Sequence, residues 1–362
     1  MTTELPVGTL VDSSDAATAS LLAERFNRHT FWCGQSGSGK TYALGVALEQ
    51  LILRTRLPIV IFDPNTDFAR IGELRDGAPE AVVAAWAERD IRVLRSSGEG
   101  GDRLHVRYVD MNRKARAAAL RIDPLLDRAE YNALMRWEVS PATTTAAELV
   151  AGFRAADDPT LLDVAMRVEN LGVLDWPLWA WGGVAATDVV DERADVTVLD
   201  LGGFSSAEEL RAAALAVLDH LWENREQRVP RLLVIDEAHN LCPPDPETPL
   251  EIALTERIVQ IAAEGRKYGL WLLFSTQRPS KVHVNALTQC DNLTLMRMNS
   301  PRDLAELAEV FGFAPTSLIE RAPGFAKGQA LMAGGFIEQP SIVQLGARLT
   351  REGGSDVAVP VR

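Results

Sequence analysis

The sequence predicts an α/β fold, a mainly parallel central sheet flanked by helices. Three observations carry the prediction. Short apolar runs alternate with stretches of helical period along most of the chain. Two of those runs, Pro58–Phe62 and Leu232–Ile235, end in acidic residues, Asp63 and Asp236-Glu237, where an open sheet presents the carboxyl ends of its strands. The 362 residues are 47% hydrophobic, enough to bury a sizeable core and to exclude disorder for most of the chain. That length suits two domains, or one large domain with an insertion.

The elements follow in order. Thr30–Cys33 reads as the first strand of the sheet, followed by a glycine-rich turn and a helix over Lys40–Leu53. Leu44, Ala47, Leu48 and Leu51 recur there at spacings of three and four and share one face. Pro58–Phe62 is the second strand, and Ile91–Leu94 and Val106–Val109 are weaker ones. The first 27 residues have room for little more than a strand and a helix. Val196–Leu201 is a strand. Ser205 and Ser206, each three residues ahead of a glutamate (Glu208, Glu209), signal the start of a helix running to Trp222. Leu232–Ile235 and Leu270–Phe274 are apolar strands, and Asn292–Met296 is expected to be the last strand of the sheet. Between Asp123 and Trp181 the texture becomes helical: Tyr131, Leu134 and Trp137 share a face, Thr145 with Glu148 forms a capping box, and Leu161, Leu162, Ala165, Met166 and Val168 mark a further apolar face. Trp176, Trp179 and Trp181 are expected to close the apolar end of this segment rather than to stack on bases.

Composition sets limits on partners and compartment. Lys and Arg number 37 against 50 Asp and Glu, a net charge of −13, which argues against a surface coated for indiscriminate nucleic-acid binding but leaves room for a local basic groove or pore. Cys33, Cys242 and Cys290 lack metal-ligand spacing and are odd in number, so they are expected to be reduced. The start of the sequence lacks a basic segment followed by an apolar core, and no run nears the ~18 apolar residues of a membrane span. The expectation is a cytoplasmic protein.

The most specific motif is Gly34-Gln35-Ser36-Gly37-Ser38-Gly39-Lys40-Thr41, with Tyr42 following, which fits G-x-x-x-x-G-K-[ST] between a strand and a helix. Glycines let backbone N–H groups curl around phosphates, Lys40 reaches the outer phosphates, and the Thr41 hydroxyl suits Mg²⁺. The helix N-terminus adds about half an elementary positive charge. Together these point to a P-loop NTPase of RecA-like architecture with ATP and Mg²⁺ as cofactors. Asp236 is the second candidate for the metal shell. Glu237, one residue on, can deprotonate an attacking water, a role unneeded in a kinase that transfers to a hydroxyl. Gln277, just past the strand Leu270–Phe274, can sense the outer phosphate or the water. Arg266, ahead of that strand, is either a solvated helix-end cation or an arginine offered to a neighbouring subunit. Arg297 is a weaker alternative, expected to be a structural salt-bridge partner. The five histidines show no metal-ligand spacing.

Taken together, HTFWCGQSGSGKT, VIFDPNTDF, VTVLDLGGF, LLVIDEAHNL and EGRKYGLWLLFSTQRPSKV resemble the HerA–FtsK superfamily of ring-forming P-loop ATPases, and most of all its HerA branch. The similarity extends through LMRMNSPRDL and GFAKGQALM, from about Arg28 to Leu349. It implies that Arg266 is a trans-acting finger with Gln277 as its sensor, eleven residues later. It also implies that Asp63 and Asp67 match the family's acid-rich turn, and that relatives are hexamers pumping double-stranded DNA, often beside a nuclease. The departure is at the N-terminus, where HerA proteins carry a β-barrel and the residues ahead of the phosphate-loop strand are too few to form one. Asp236-Glu237-Ala238-His239 is also the box of two-lobed helicases, but the second lobe and its arginine motif are missing, so that reading is set aside.

The domain expectation is an N-terminal extension over 1–27, a RecA-like ATPase domain over 28–122 and 183–350, a helical insertion over 123–182 and a flexible tail over 351–362. The functional expectation is an ATP-hydrolysing motor that translocates or remodels double-stranded DNA as a ring, a hexamer by resemblance. Arg113, Lys114, Arg116, Arg121, Arg278 and Lys281 are candidate phosphate-backbone contacts, each with a solvated helix face as its alternative. The rival expectation is an assembly or defence-system ATPase that organises an effector partner without pumping DNA.

Overall fold

A computed structural model describes residues 2–13, 15, 17–97, 102–140, 143 and 145–354. Among them, twelve strands form a single sheet: β1 (Glu4–Leu10), β2 (Thr18–Leu22), β3 (His29–Cys33), β4 (Ile59–Asp63), β5 (Ile91–Arg95), β6 (Asp102–Arg103), β7 (Val196–Asp200), β8 (Arg231–Ile235), β9 (Leu270–Thr276), β10 (Cys290–Met296), β11 (Gln329–Gly334) and β12 (Ser341–Leu345). Their order is β2-β1-β12-β11-β10-β3-β9-β8-β4-β7-β5-β6. From β10 to β6 all neighbours are parallel, whereas β11, β12, β1 and β2 extend one edge as antiparallel strands.

The central parallel strands are largely apolar because helices cover both faces. Every residue of β3, β4, β7 and β8 is buried. Alternate side chains enter two separate cores: Val60 and Phe62 of β4 join one, Ile59 and Ile61 the other. The helices are α1 (Lys40–Arg54), α2 (Glu80–Ala87), α3 (Arg113–Ala119), α4 (Arg128–Arg136), α5 (Ala146–Ala155), α6 (Pro159–Leu171), α7 (Ala186–Asp191), α8 (Ala207–Glu223), α9 (Pro249–Glu264), α10 (Val284–Leu287), α11 (Pro301–Val310) and α12 (Thr316–Ile319). Ser206 caps α8 by accepting from the Glu209 N–H, and Thr145 caps α5 by accepting from the Glu148 N–H. Among the described residues, no helix is long and apolar enough to cross a membrane. Cys33, Cys242 and Cys290 are free and buried.

Several expectations are corrected. Asn292–Met296 lies inside the sheet, not at its end, because β11 pairs along its outer side. The residues before His29 form two strands and a short 3-10 turn, Ala23–Asn27, rather than a strand and a helix. Val106 makes one bridge, to Trp179, and the chain then turns over Tyr108–Asp110. Arg107, held by Asp110 and Asp188, sits where a strand would have had to continue. In α6 the inward face is Leu161, Val164, Ala165 and Val168, while Leu162 and Met166 are exposed. The start of the expected tail is docked: Arg351 pairs with Asp76, and the Gly353 N–H donates to the Asp67 carbonyl. Residues 355–362 of that segment lie outside the described residues. Trp176 stacks on Trp179, and Trp179 packs edge-on against Tyr108, so both rings serve packing.

Candidate nucleotide site

β3, β9 and β8 are adjacent and parallel, so their carboxyl ends deliver Gly34, Ser275 and Asp236 to one edge of the sheet. The loop after β3 can turn there because Gly34 has no side chain: a Cβ on it would lie 2.7 Å from that of Met296 and 2.8 Å from the Ser38 hydroxyl. Gly39, at φ +89°, starts α1 from a left-handed backbone. No side chain caps α1, which leaves its first amides to a ligand.

Lys40, from the first turn of α1, is buried, and its Nζ lies 3.0 Å from Asp236 Oδ1, 3.2 Å from Glu237 Oε1 and 2.8 Å from Ser275 Oγ. Burial disfavours its ammonium form, but Asp236 and Glu237 outweigh that and hold its pKa above the usual lysine value. Burial would likewise raise the Glu237 carboxyl. The hydrogen bond from His239 and the Lys40 charge win, holding it down to about 2. His239 Nδ1 is 3.3 Å from Glu237 Oε2 and 3.0 Å from Thr276 Oγ1, so it anchors the carboxylate to β9. The Gln277 N–H reaches Glu237 Oε2 at 3.4 Å, setting Gln277 beside it.

Thr41 Oγ1 donates to Asp67 Oδ2 at 3.3 Å. Asp63 shapes the turn that carries Asp67, accepting the N–H groups of Asp67 and Phe68 at 3.0 and 2.7 Å. Burial and the nearby Asp236 push the Asp63 carboxyl up to about 8 and also raise Asp67. The Tyr42 hydroxyl accepts from the Arg348 N–H at 2.8 Å, and Arg75 lies over its ring.

Asp236 Oδ2 and Ser38 Oγ are buried at this site without a hydrogen-bond partner. An unpaired carboxylate oxygen at the end of β8 and a threonine hydroxyl at the start of α1 are both ligands suited to the water shell of a hard divalent ion. No cluster of three or more acidic, His or Cys side chains among the described residues could hold a metal alone, so oxygens of a bound phosphate would have to complete the shell.

Arg266 is not part of this cluster. It precedes β9, whose seven residues span about 20 Å, whereas Ser275 at the far end touches Lys40. Its Nη1 lies 2.7 Å from Asp291 Oδ2, which Arg28 also approaches at 3.8 Å. Arg297 forms no ion pair among the described residues; instead its Nη2 donates to the Gly37 carbonyl at 3.3 Å, so the expected salt-bridge role is corrected. Arg116 is buried, which removes it from the candidate backbone contacts, whereas Arg278 and Lys281 are exposed just past Gln277. Ser275 and Arg348 escaped sequence reasoning. Only the first had a signal, as the polar end of an apolar strand; His239, read from the sequence as a local hydrogen-bonding residue, is one.

Residues 5–155 match the family described as the central domain of helicase HerA. The DNA double-strand break repair helicase HerA of Sulfurisphaera tokodaii is 30% identical over 183 residues, 47% of this chain and 36% of that protein. That of Pyrococcus furiosus is 32% identical over 117 residues, 32% of this chain and 20% of that protein. The chain thus spans about a third or less of the length of these relatives. Among solved structures, VirB4 of Thermoanaerobacter pseudethanolicus superposes with a TM-score of 0.65 at 16% identity, covering 95% of this chain and 96% of that one. The bacterial conjugative coupling protein TrwB, in its unbound monoclinic form, gives 0.58 at 13% identity over 93% and 89%. At such identities the two structures establish the fold alone, a RecA-like α/β architecture.

Proposed function

We propose that this chain, a HerA-like P-loop protein of the HerA–FtsK superfamily, binds Mg-ATP on Gly34–Thr41 and hydrolyses it to move double-stranded DNA through a ring of like subunits. The observation that carries the reading is the meeting of Lys40 with Asp236 and Glu237, which join the chain's two phosphate-site motifs across 196 residues. Lys40 leaves the carboxylates for the outer phosphates. Thr41 and Asp236 would hold the Mg²⁺, which supplies charge neutralisation on the phosphate oxygens when bound. Glu237, ionised and fixed by His239, accepts the proton of the attacking water. The loss of Lys40 from its side lifts its basicity at that moment. Gln277 lies where it can align that water.

Arg266 is too far from its own phosphate loop to act there, which supports a role at a neighbour's. In that arrangement 28–122 and 183–350 form the motor, and 123–182 is an insertion carried on its flank. The exposed cations Arg278 and Lys281 lie beyond the same strand edge as Gln277, where a pore-facing loop would neutralise backbone phosphates. The curated relatives are named as DNA repair helicases, and duplex DNA comes to this chain by that likeness. ATP turnover with and without duplex DNA tests it. A translocase is stimulated by DNA, and Arg278→Glu with Lys281→Glu removes the stimulation while basal turnover persists. A rate indifferent to DNA favours the assembly or defence role with an effector partner.

A further inference from the structure

The loop that follows β10 wraps the crown of the phosphate loop from the side opposite Glu237. β10 and β9 flank β3 on its two sides, so what leaves β10 approaches Gly34–Thr41 from one flank and the catalytic acids from the other. Three contacts fix this wrap: the Gln35 N–H donates to the Arg297 carbonyl at 2.9 Å, the Asn299 N–H to Gln35 Oε1 at 2.9 Å, and Arg297 Nη2 to the Gly37 carbonyl at 3.3 Å. The guanidinium is therefore placed by backbone geometry, but it is poorly satisfied. Its one hydrogen bond is beyond the usual length, its Nε is buried without a partner, and among the described residues no carboxylate lies within ion-pair distance. By contrast, Arg92, Arg107 and Arg266 each rest on carboxylates.

We propose that Arg297 is a cis-acting ligand of the outermost phosphate of the bound nucleotide. The proposal rests on the nucleotide reading of Gly34–Thr41. A planar fork with five donors, parked on one weak acceptor over an anion-binding loop, matches an incoming group with several acceptor oxygens. From the β10 flank it closes on the phosphate that Lys40 holds from the β9 flank. Lys40 grips either a diphosphate or a triphosphate; Arg297, at the crown, reads the presence of the last phosphate.

The test is equilibrium binding of a non-hydrolysable ATP analogue and of ADP, both with Mg²⁺, to wild type, Arg297→Gln and Arg297→Lys. The expected result is a loss of analogue affinity of about tenfold or more in Arg297→Gln, the scale of one charge-assisted hydrogen bond. ADP affinity should change less than about twofold, and Arg297→Lys, which keeps the charge and the fold, should lie between. Equal losses for both nucleotides, or none for either, overturn the assignment. A wild type that binds neither nucleotide contradicts the nucleotide reading itself, a distinguishable outcome.

Discussion

Glu237 stands on a left-handed backbone, φ +42°, which costs a residue with a Cβ about 1–2 kcal/mol. The surroundings that enforce it are Lys40 and His239, and they also keep the carboxylate ionised. A carboxyl whose folded pKa is about 2 against an ordinary 4.5 favours the fold through its charged form. That contribution is present above pH 4.5 and is lost as the pH falls toward 2. Glu237→Gln removes it, so the gap in thermal midpoint between wild type and variant, measured without nucleotide, should shrink across that interval. A gap that stays constant with pH would mean the carboxylate is not held by its neighbours.

Among the elements, the segment after β12 has a role that no local pattern announces. Glu49, buried on α1, accepts the N–H groups of Leu349 and Thr350, both at 2.8 Å, and the Thr350 hydroxyl at 2.6 Å. Arg348, fully buried beside it, reaches the Thr41 carbonyl at 3.4 Å and lies over the Phe68 ring. The strand therefore continues into a strap that ties the phosphate-loop helix to the acid-bearing turn. Glu49→Ala leaves those donors unmatched and the Arg348 charge with Glu352 alone, 3.6 Å away, and should destabilise the fold by about 3 kcal/mol. A shift of the denaturant midpoint measures it. The contrast with what the sequence discloses is physical. Gly34–Thr41 and Leu232–Glu237 are contiguous, and their chemistry is written in adjacent residues. The strap and the outer strands β1, β2, β11 and β12 depend on partners as distant in sequence as Gly8 and Leu345, and alternation over five to seven residues carries little information about pairing. For the same reason Ser275 became legible as a partner of Lys40 only once β9 lay beside β3.

At the scale of the whole molecule, the parallel sheet holds two charged clusters apart. One edge carries the phosphate loop with Lys40, Asp236 and Glu237; the other carries Arg266 on Asp291. If neighbouring subunits bring these edges together, Arg266→Ala should keep nucleotide affinity and lose turnover by about 10³-fold or more. Mixing Arg266→Ala with Glu237→Gln chains should then restore part of the activity, because some interfaces would pair an intact Glu237 with an intact Arg266. No recovery in mixed, co-assembled samples would place the finger elsewhere.

The central claim is that the cradle at Gly34–Thr41 and the acids at Asp236-Glu237 serve one triphosphate. Single-turnover hydrolysis of labelled ATP, alongside equilibrium binding, tests it directly in wild type and Glu237→Gln. The account predicts that both bind ATP with similar affinity, while the variant releases phosphate at least about a hundredfold more slowly. Hydrolysis at the wild-type rate by Glu237→Gln would contradict it.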